Sequence, residues 1–306
     1  MSEEAADDRT IGLVGPAVTD DIGSAGTDDV GTGMPDRADA GVPDCAEGDR
    51  ADAGAAKPAR DSHDGAAVDV AAVSAACRGA GAEPVVGDVD SVLAASPDAV
   101  VAVGEGAVRA VALATHDVPI LPVEAGRGLR SVPSEAVEEA VATVLAGEAT
   151  LESHPVLAVL DDAGTCCRAL FDVMVVTAEP AHISEFRVTH EDEVVARFRA
   201  DGVVAAPPAG TPAYARAAGS PVIPRGPSVC SVVPIAPFAT TIDDWVLPIE
   251  AIGIEVLRED AAVDLIVDGQ RVCEVGIDTP LALAVDATVT CARVPASRSP
   301  FAPSGH

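Results

Sequence analysis

The run Arg199-Ala200-Asp201-Gly202-Val203-Val204-Ala205-Ala206-Pro207-Pro208-Ala209-Gly210-Thr211-Pro212-Ala213-Tyr214 holds the residue types best suited to chemistry in this chain. It reads as a strand that enters a turn of Pro, Gly and Thr and then opens a short helix at Ala213. Backbone N–H groups at that helix start, the Thr211 hydroxyl and the Tyr214 ring suit a phosphate-bearing ligand with a flat base. An ordinary strand–turn–helix corner with a core tyrosine fits the same letters. Tyr214 is the sole tyrosine, and aromatics are only 2 % of the chain, which favours the stacking role. A second candidate is Gly104-Glu105-Gly106, at the end of the strand-like 100–103. At the C-terminal end of a parallel strand, paired glycines let backbone approach phosphates while the carboxylate projects between them. As a bare pattern G-x-G reads first as a plain strand-to-helix turn.

These residues need a sheet behind them, and the pattern supplies one. Residues 10–16 read as a short buried strand, 66–80 as an Ala-rich helix and 83–87 as a strand. A helix at 89–95, a strand at 98–103, a helix at 106–114, a strand at 120–123 and a helix at 134–146 follow. Ser134 and Glu138 mark the start of that last helix, and Gly147 ends it. Such alternation predicts a parallel sheet covered on both faces. After residue 151 the pattern changes to short Val-rich runs at 156–160, 169–177, 185–190, 194–200, 229–234, 252–257, 263–267 and 271–275. Asp-Asp, Glu-Pro, Glu-Asp and Asp-Gly turns separate them, which predicts a mostly antiparallel β domain. The fold class is therefore α/β plus β. Residues 1–18 and 66–150 form an α/β nucleotide-binding domain, and 151–293 a β-rich domain. Residues 19–65 collapse to Asp, Gly, Ala and Pro and read as a disordered acidic insertion; 294–306 read as a flexible tail.

Composition narrows the partners. The net charge is −30, and Lys57 is the only lysine. Such a surface suits a cytoplasm of molar salt, where screening falls to about 3 Å or less and self-repulsion fades. We expect a halophilic microbe, a cytoplasmic location, no membrane segment and no nucleic-acid partner, because no basic stripe exists to neutralise phosphates. Hydrophobic residues reach 48 %, so the core must be built mainly of Ala, Val, Leu and Ile. Seven cysteines without a C-x-x-C pair read as reduced structural thiols, and acidic pairs such as Asp161-Asp162 and Asp243-Asp244 as solvated turns. A phosphate site in so acidic a chain needs cations, for which Arg127, Arg130, Arg199, Arg216 and Arg225 are candidates.

The Asp201–Tyr214 segment resembles the signature loop of the NAD kinase family, in which Asp-Gly leads to Thr-Pro-Thr-Gly-Ser-Thr-Ala-Tyr. Ala217-Ala218-Gly219-Ser220-Pro221, Val232-Val233-Pro234-Ile235-Ala236-Pro237 and Val267-Asp268-Gly269-Gln270 are similar to later family segments. Upstream, Pro119-Ile120-Leu121-Pro122-Val123-Glu124-Ala125-Gly126-Arg127 stands where the family has Pro-Ile-Leu-Gly-Ile-Asn-x-Gly-Arg. The resemblance covers roughly residues 84–275. It implies phosphoryl transfer from ATP with Mg²⁺, or from polyphosphate, to the 2′-hydroxyl on the adenosine ribose of NAD. Glu105, where the family has Asp, would be the base. Gly104, Gly106 and Arg127 would face donor phosphates. Gly106, Asp172, His182, Arg199, Asp201, Thr211, Pro212, Ala213, Tyr214, Ala217 and Gln270 would hold NAD, with no dedicated protein site for the metal. A homodimer or homotetramer is implied. Glu105 adds a methylene, Val103 replaces a glycine, Phe171 replaces an amide and Pro212 removes an N–H. Those departures motivate an alternative, a non-catalytic paralogue that binds a dinucleotide as sensor or partner subunit. A lipid kinase of related fold fits the Asp-Gly…Ala-Tyr loop less well.

Overall fold

The structure, a computed structural model, describes residues 10–15, 69–114, 117–179, 182–239, 242–277 and 279–301. The expected insertion at 19–65 lies outside the described residues. The first part runs β1 (Ile11–Val14), α1 (Val70–Gly79), β2 (Pro84–Val86), α2 (Val89–Ala94), β3 (Ala99–Val103), α3 (Gly104–Ala114), β4 (Ile120–Val123) and α4 (Val137–Leu145). Next come β5 (Thr150–Asp161), β6 (Gly164–Ala169), β7 (Val173–Thr177), β8 (Ser184–His190), β9 (Glu193–Ala200) and β10 (Gly202–Ala206). The chain ends with α5 (Tyr214–Ala217), β11 (Val229–Ile235), β12 (Trp245–Pro248), β13 (Ile252–Arg258), β14 (Val263–Val267), β15 (Gln270–Glu274) and β16 (Leu281–Arg293).

Strands β1, β3 and β4 are buried at every position, as parallel strands covered on both faces must be. Helices α1 and α2 start where Asp69 and Asp88 accept N–H bonds from Ala71 and Ser91. One sheet has the order β2-β1-β3-β4-β16-β13-β8-β9, with β5 and β6 attached through β16. Its first four strands are parallel, and β16 joins β4 in parallel through Cys291 and Ile120. The second sheet, β12-β11-β10-β7-β14-β15, is antiparallel throughout. Phe186, Phe198, Val203, Val232 and Leu265 fill the space between the sheets. Val73, Cys77, Val137 and Val141 cover one face of the parallel strands, and Val92, Val108, Leu170, Phe171 and Ala209 cover the other. Among the described residues no helix is long and apolar enough to cross a membrane.

Several expectations need correction. The strand expected at 169–177 is two strands, because Leu170, Phe171 and Asp172 give their N–H groups to a side chain. The run 199–206 likewise breaks at Asp201, so that β9 lies in one sheet and β10 in the other. The 13-residue β16 was missed: its small residues and central Asp286 show no clean alternation, yet it pairs with β4, β5 and β13. Strand β12 was missed as well. Ser134 does not cap its helix; its N–H donates to Glu124 Oε1 at 2.9 Å. In the stretch expected to fray, Arg298 pairs with Glu124 at 2.6 and 3.1 Å and its N–H bonds Ser131 O.

Candidate functional site

Strand β3 passes straight into α3, with no loop between them. The switch falls on Gly104, whose φ of +83° an L side chain rarely adopts. The Gly-Glu-Gly triplet is thus the first turn of the helix, not a loop before it, and Glu105 sits at the positive end of the helix dipole. Its carboxylate lies against Gly126: a Cβ there would be 2.7 Å from Glu105 Oε1. Gly126 belongs to the loop 124–132, closed by Val132 N–H on Pro122 O and Glu124 N–H on Val132 O. Glu124 opens that loop at φ +47°, where Asn is the easier tenant. Burial pushes the Glu124 carboxyl up, but the Arg298 guanidinium and the Ser134 N–H outweigh it and leave the pKa lowered. Glu124 is therefore spent on anchoring the C-terminal residues.

One close backbone contact ties this loop to the turn after β10, and a second ties that turn to the segment before β7. A Cβ on Gly128 would lie 1.6 Å from Ala209 O, and one on Gly210 would lie 1.6 Å from Phe171 O. Only glycine permits such approach at both points. Within 207–213, Gly210 and Thr211 N–H bond Pro207 O, and Ala213 N–H bonds Gly210 O. The buried Thr211 hydroxyl donates to Pro208 O and accepts from Ile223 N–H. The expected row of open N–H donors is therefore largely consumed inside the turn, and Thr211 acts on its shape. Pro212 has no N–H to offer.

Asp268 does more than turn a hairpin. With φ +48°, followed by Gly269 at +77°, it makes the β14–β15 connection. Its carboxylate accepts from Leu170, Phe171 and Asp172 N–H at 3.0, 2.7 and 3.1 Å, and from Arg109 Nε at 3.1 Å. Arg109 lies one helical turn after Glu105 on α3, so Asp268 bolts the helix bearing Glu105 to the second sheet. Gln270 follows directly, as the exposed first residue of β15. Sequence reading placed Asp268 in an Asp-Gly turn similar to a family segment; only its side-chain partners reveal the bolt.

Beyond the turn stands Tyr214, half-buried against the face holding Met174, Val204 and Val233. Burial raises its phenol pKa, and the nearby charges of Asp172 and Asp201 raise it further. Asp172 is fully buried, while burial raises the pKa of Asp201. The Thr177 hydroxyl bonds both Asp201 O and His182 O, at 3.1 and 3.2 Å, which brings His182 to the rim. The His182 ring is exposed, 3.6 Å from Glu179, and Ala217 is exposed on α5. Arg199 is set apart: it pairs with Asp260 at 3.6 Å and lies over Phe238 at 5.9 Å. Contacts thus form a path from Glu105 to Gly126 and from Gly128 through Ala209 and Gly210 to Phe171, beside Asp172, whose charge reaches Tyr214. Gly106 and Arg127 flank its Glu105 end. An apolar hollow lined by Ile11, Ala99, Pro119 and Leu145 lies at the opposite end of the parallel strands.

The family profile described as ATP-NAD kinase C-terminal domain matches residues 170–285. An NAD kinase of Thermococcus sibiricus is 32 % identical over 188 residues, covering 60 % of this chain and 68 % of the relative. One from Methanosarcina mazei is 35 % identical over 173 residues, covering 55 % and 59 %. One from Methanothermobacter thermautotrophicus is 32 % identical over 157 residues, covering 50 % and 55 %, so the chain spans little more than half of these last two. An Archaeoglobus fulgidus NAD kinase solved in complex with ATP superposes with TM-score 0.60 at 23 % identity, over 72 % of this chain and 88 % of that one. A yeast NADH kinase complexed with NADH gives 0.58 at 18 %, over 69 % and 66 %. At these identities the structural likeness speaks for the fold.

Proposed function

This chain belongs to the NAD kinase family, and from that premise we propose that it makes NADP from NAD. The phosphoryl donor is ATP, or inorganic polyphosphate, and the acceptor is the 2′-hydroxyl of the adenosine ribose. The observation that carries this reading is the position of Glu105, at the start of α3 with its carboxylate against Gly126. Glu105 takes the hydroxyl proton as the oxygen attacks the terminal phosphorus, and the bond to the donor's bridging oxygen breaks, releasing ADP or a polyphosphate one unit shorter. Gly104, Gly106 and Arg127 border the donor phosphates. Asp172, Asp201, Ala213, Tyr214 and Gln270 hold the dinucleotide, with His182 and Ala217 at its edge. Thr211 and Pro212 shape the turn; Arg199 drops out of the set, because its partners lie elsewhere. Among the described residues no three of His, Cys, Asp or Glu gather as metal ligands. Mg²⁺ arriving with the donor would offset the charge of its phosphates. A cytoplasmic homodimer or homotetramer belongs to the same proposal.

A dinucleotide-binding member without catalysis is the second reading. It is favoured by the turn's internally bonded N–H groups and by the buried Val103 and Phe171 at glycine and amide positions. The two separate in one assay with NAD or NADH, ATP and Mg²⁺ in molar KCl. NADP or NADPH formation that Glu105→Gln lowers by about a hundredfold or more supports the kinase, and Glu105→Asp should then raise the rate. Saturable dinucleotide binding without turnover supports the sensor.

A further inference from the structure

Behind the turn 207–213, three arginines converge on one buried carboxylate. Glu152 on β5 meets Arg293 Nε at 2.8 Å through Oε1, and Arg225 and Arg130 Nε at 3.4 and 3.5 Å through Oε2. The guanidinium groups come from β16, from the loop 219–228 and from the loop 124–132. Glu152 is 6 % exposed at its side chain, whereas the arginines keep 28–41 %. Strand register sets the direction: Glu152 pairs with Cys291, His154 with Val289, and Cys291 with Ile120. Glu152, His154 and Arg293 therefore project from the sheet face that also packs Leu170, Phe171 and Ala209.

Three features point to a ligand. The cluster carries a surplus of two positive charges in a chain whose net charge is −30. Arg130 and Arg225 approach Glu152 through Nε, and each guanidinium is a planar fork suited to oxyanions. His154 is 1 % exposed, yet neither ring nitrogen has a partner, and its charged neighbours are Glu152, Arg225 and Arg130. A buried polar group without a partner is costly, and natural proteins seldom tolerate it without a use. Both loops are tied to the turn 207–213: Gly128 abuts Ala209 in the loop that carries Arg130, and Ile223 N–H bonds Thr211 in the loop that carries Arg225.

We propose that Arg130, Arg225 and Arg293 form an oxyanion site that takes the phosphate groups of a nucleotide, with Glu152 holding the guanidinium groups in place and His154 offering its free N–H. The site deepens the nucleotide-binding reading above but rests on binding alone, so a failure to form NADP leaves it standing. The test is calorimetric titration with tripolyphosphate, ATP and adenosine, without metal and at constant ionic strength. Tripolyphosphate and ATP should compete, and adenosine should not displace tripolyphosphate. Arg225→Ala and Arg130→Ala should each weaken both anions by about tenfold or more. Glu152→Gln, freed of the internal anion, should bind tripolyphosphate several-fold more tightly. ATP binding tighter than tripolyphosphate assigns the site to a nucleotide, and equal affinities assign it to inorganic polyphosphate. A purely structural clamp gives the reverse pattern, with lower melting temperatures in all three variants and unchanged tripolyphosphate binding. That result, or wild-type protein that binds no tripolyphosphate, overturns the proposal.

Discussion

Two polar clusters of opposite sign flank the turn 207–213. On one side Asp172 and Asp201 surround Tyr214; on the other Arg130, Arg225 and Arg293 surround Glu152 beside His154. Burial acts on both, in opposite directions. It pushes the neutral acids Tyr214 and Asp201 up and the base His154 down, because in each case it disfavours the charged form. The anionic side suits groups that donate hydrogen bonds, such as ribose hydroxyls and an adenine amine. The cationic side suits phosphates. Between them lies a turn with little slack, since glycines bring backbone to backbone at Gly128 and Gly210. A ligand with a sugar at one end and phosphates at the other would be read by charge from two directions.

The strongest way to break this arrangement is at the turn itself. Gly128→Ala sets a Cβ 1.6 Å from a backbone oxygen, where no side chain can yield. It should cost more than about 4 kcal/mol, read by urea melts, and abolish dinucleotide binding. Next is the bolt: Asp268→Ala leaves three N–H groups and the Arg109 guanidinium facing a void, for a loss of about 3–5 kcal/mol. Differential scanning calorimetry gives the value, and an unchanged melting temperature would show that Asp268 merely turns a hairpin.

Acid should then separate the two clusters. Burial lowers His154 from 6.5 to about 4; the charge of Glu152 opposes this, and those of Arg225 and Arg130 reinforce it. Its contribution to stability is whole above 6.5 and is lost as pH falls toward 4, a total of about 3 kcal/mol. His154→Phe should remove that part of the pH dependence in denaturant melts at pH 7 and pH 4.5. On the other side, Tyr214→Ala should weaken NAD by about tenfold, whereas Tyr214→Phe should hold it within about threefold, if the ring stacks on a base. Equal losses in the two variants would assign the work to the hydroxyl. The smallest effect is expected at Asp201. Because its folded pKa is raised, its contribution to stability is whole in acid and lost as pH rises, so Asp201→Asn should gain under about 1 kcal/mol at pH 7 and nothing in acid.

Much of this molecule was readable before any coordinates. The parallel strands appear as short, wholly uncharged apolar runs because burial on both faces demands it. The antiparallel strands appear as Val-rich runs between Asp-Gly and Glu-Asp turns. Glu105 and Tyr214 stood out through residue type and neighbourhood. Strand β16 did not stand out, because its pattern is set by three different partners and not by one buried face.

The sequence by itself determined most of the segments that become strands and helices, where glycines permit sharp turns, and which family motifs recur. Those properties depend on neighbours a few residues apart. Only the tertiary structure decided that Asp268 closes on Arg109, 159 positions earlier, and that three arginines from separate segments meet on Glu152. It also decided that the Thr211 hydroxyl is spent on Pro208 and Ile223. Hydrogen bonds and ion pairs across long loops leave no periodic trace in the chain, because each partner's type is common and only the packed sheets bring the pair within reach.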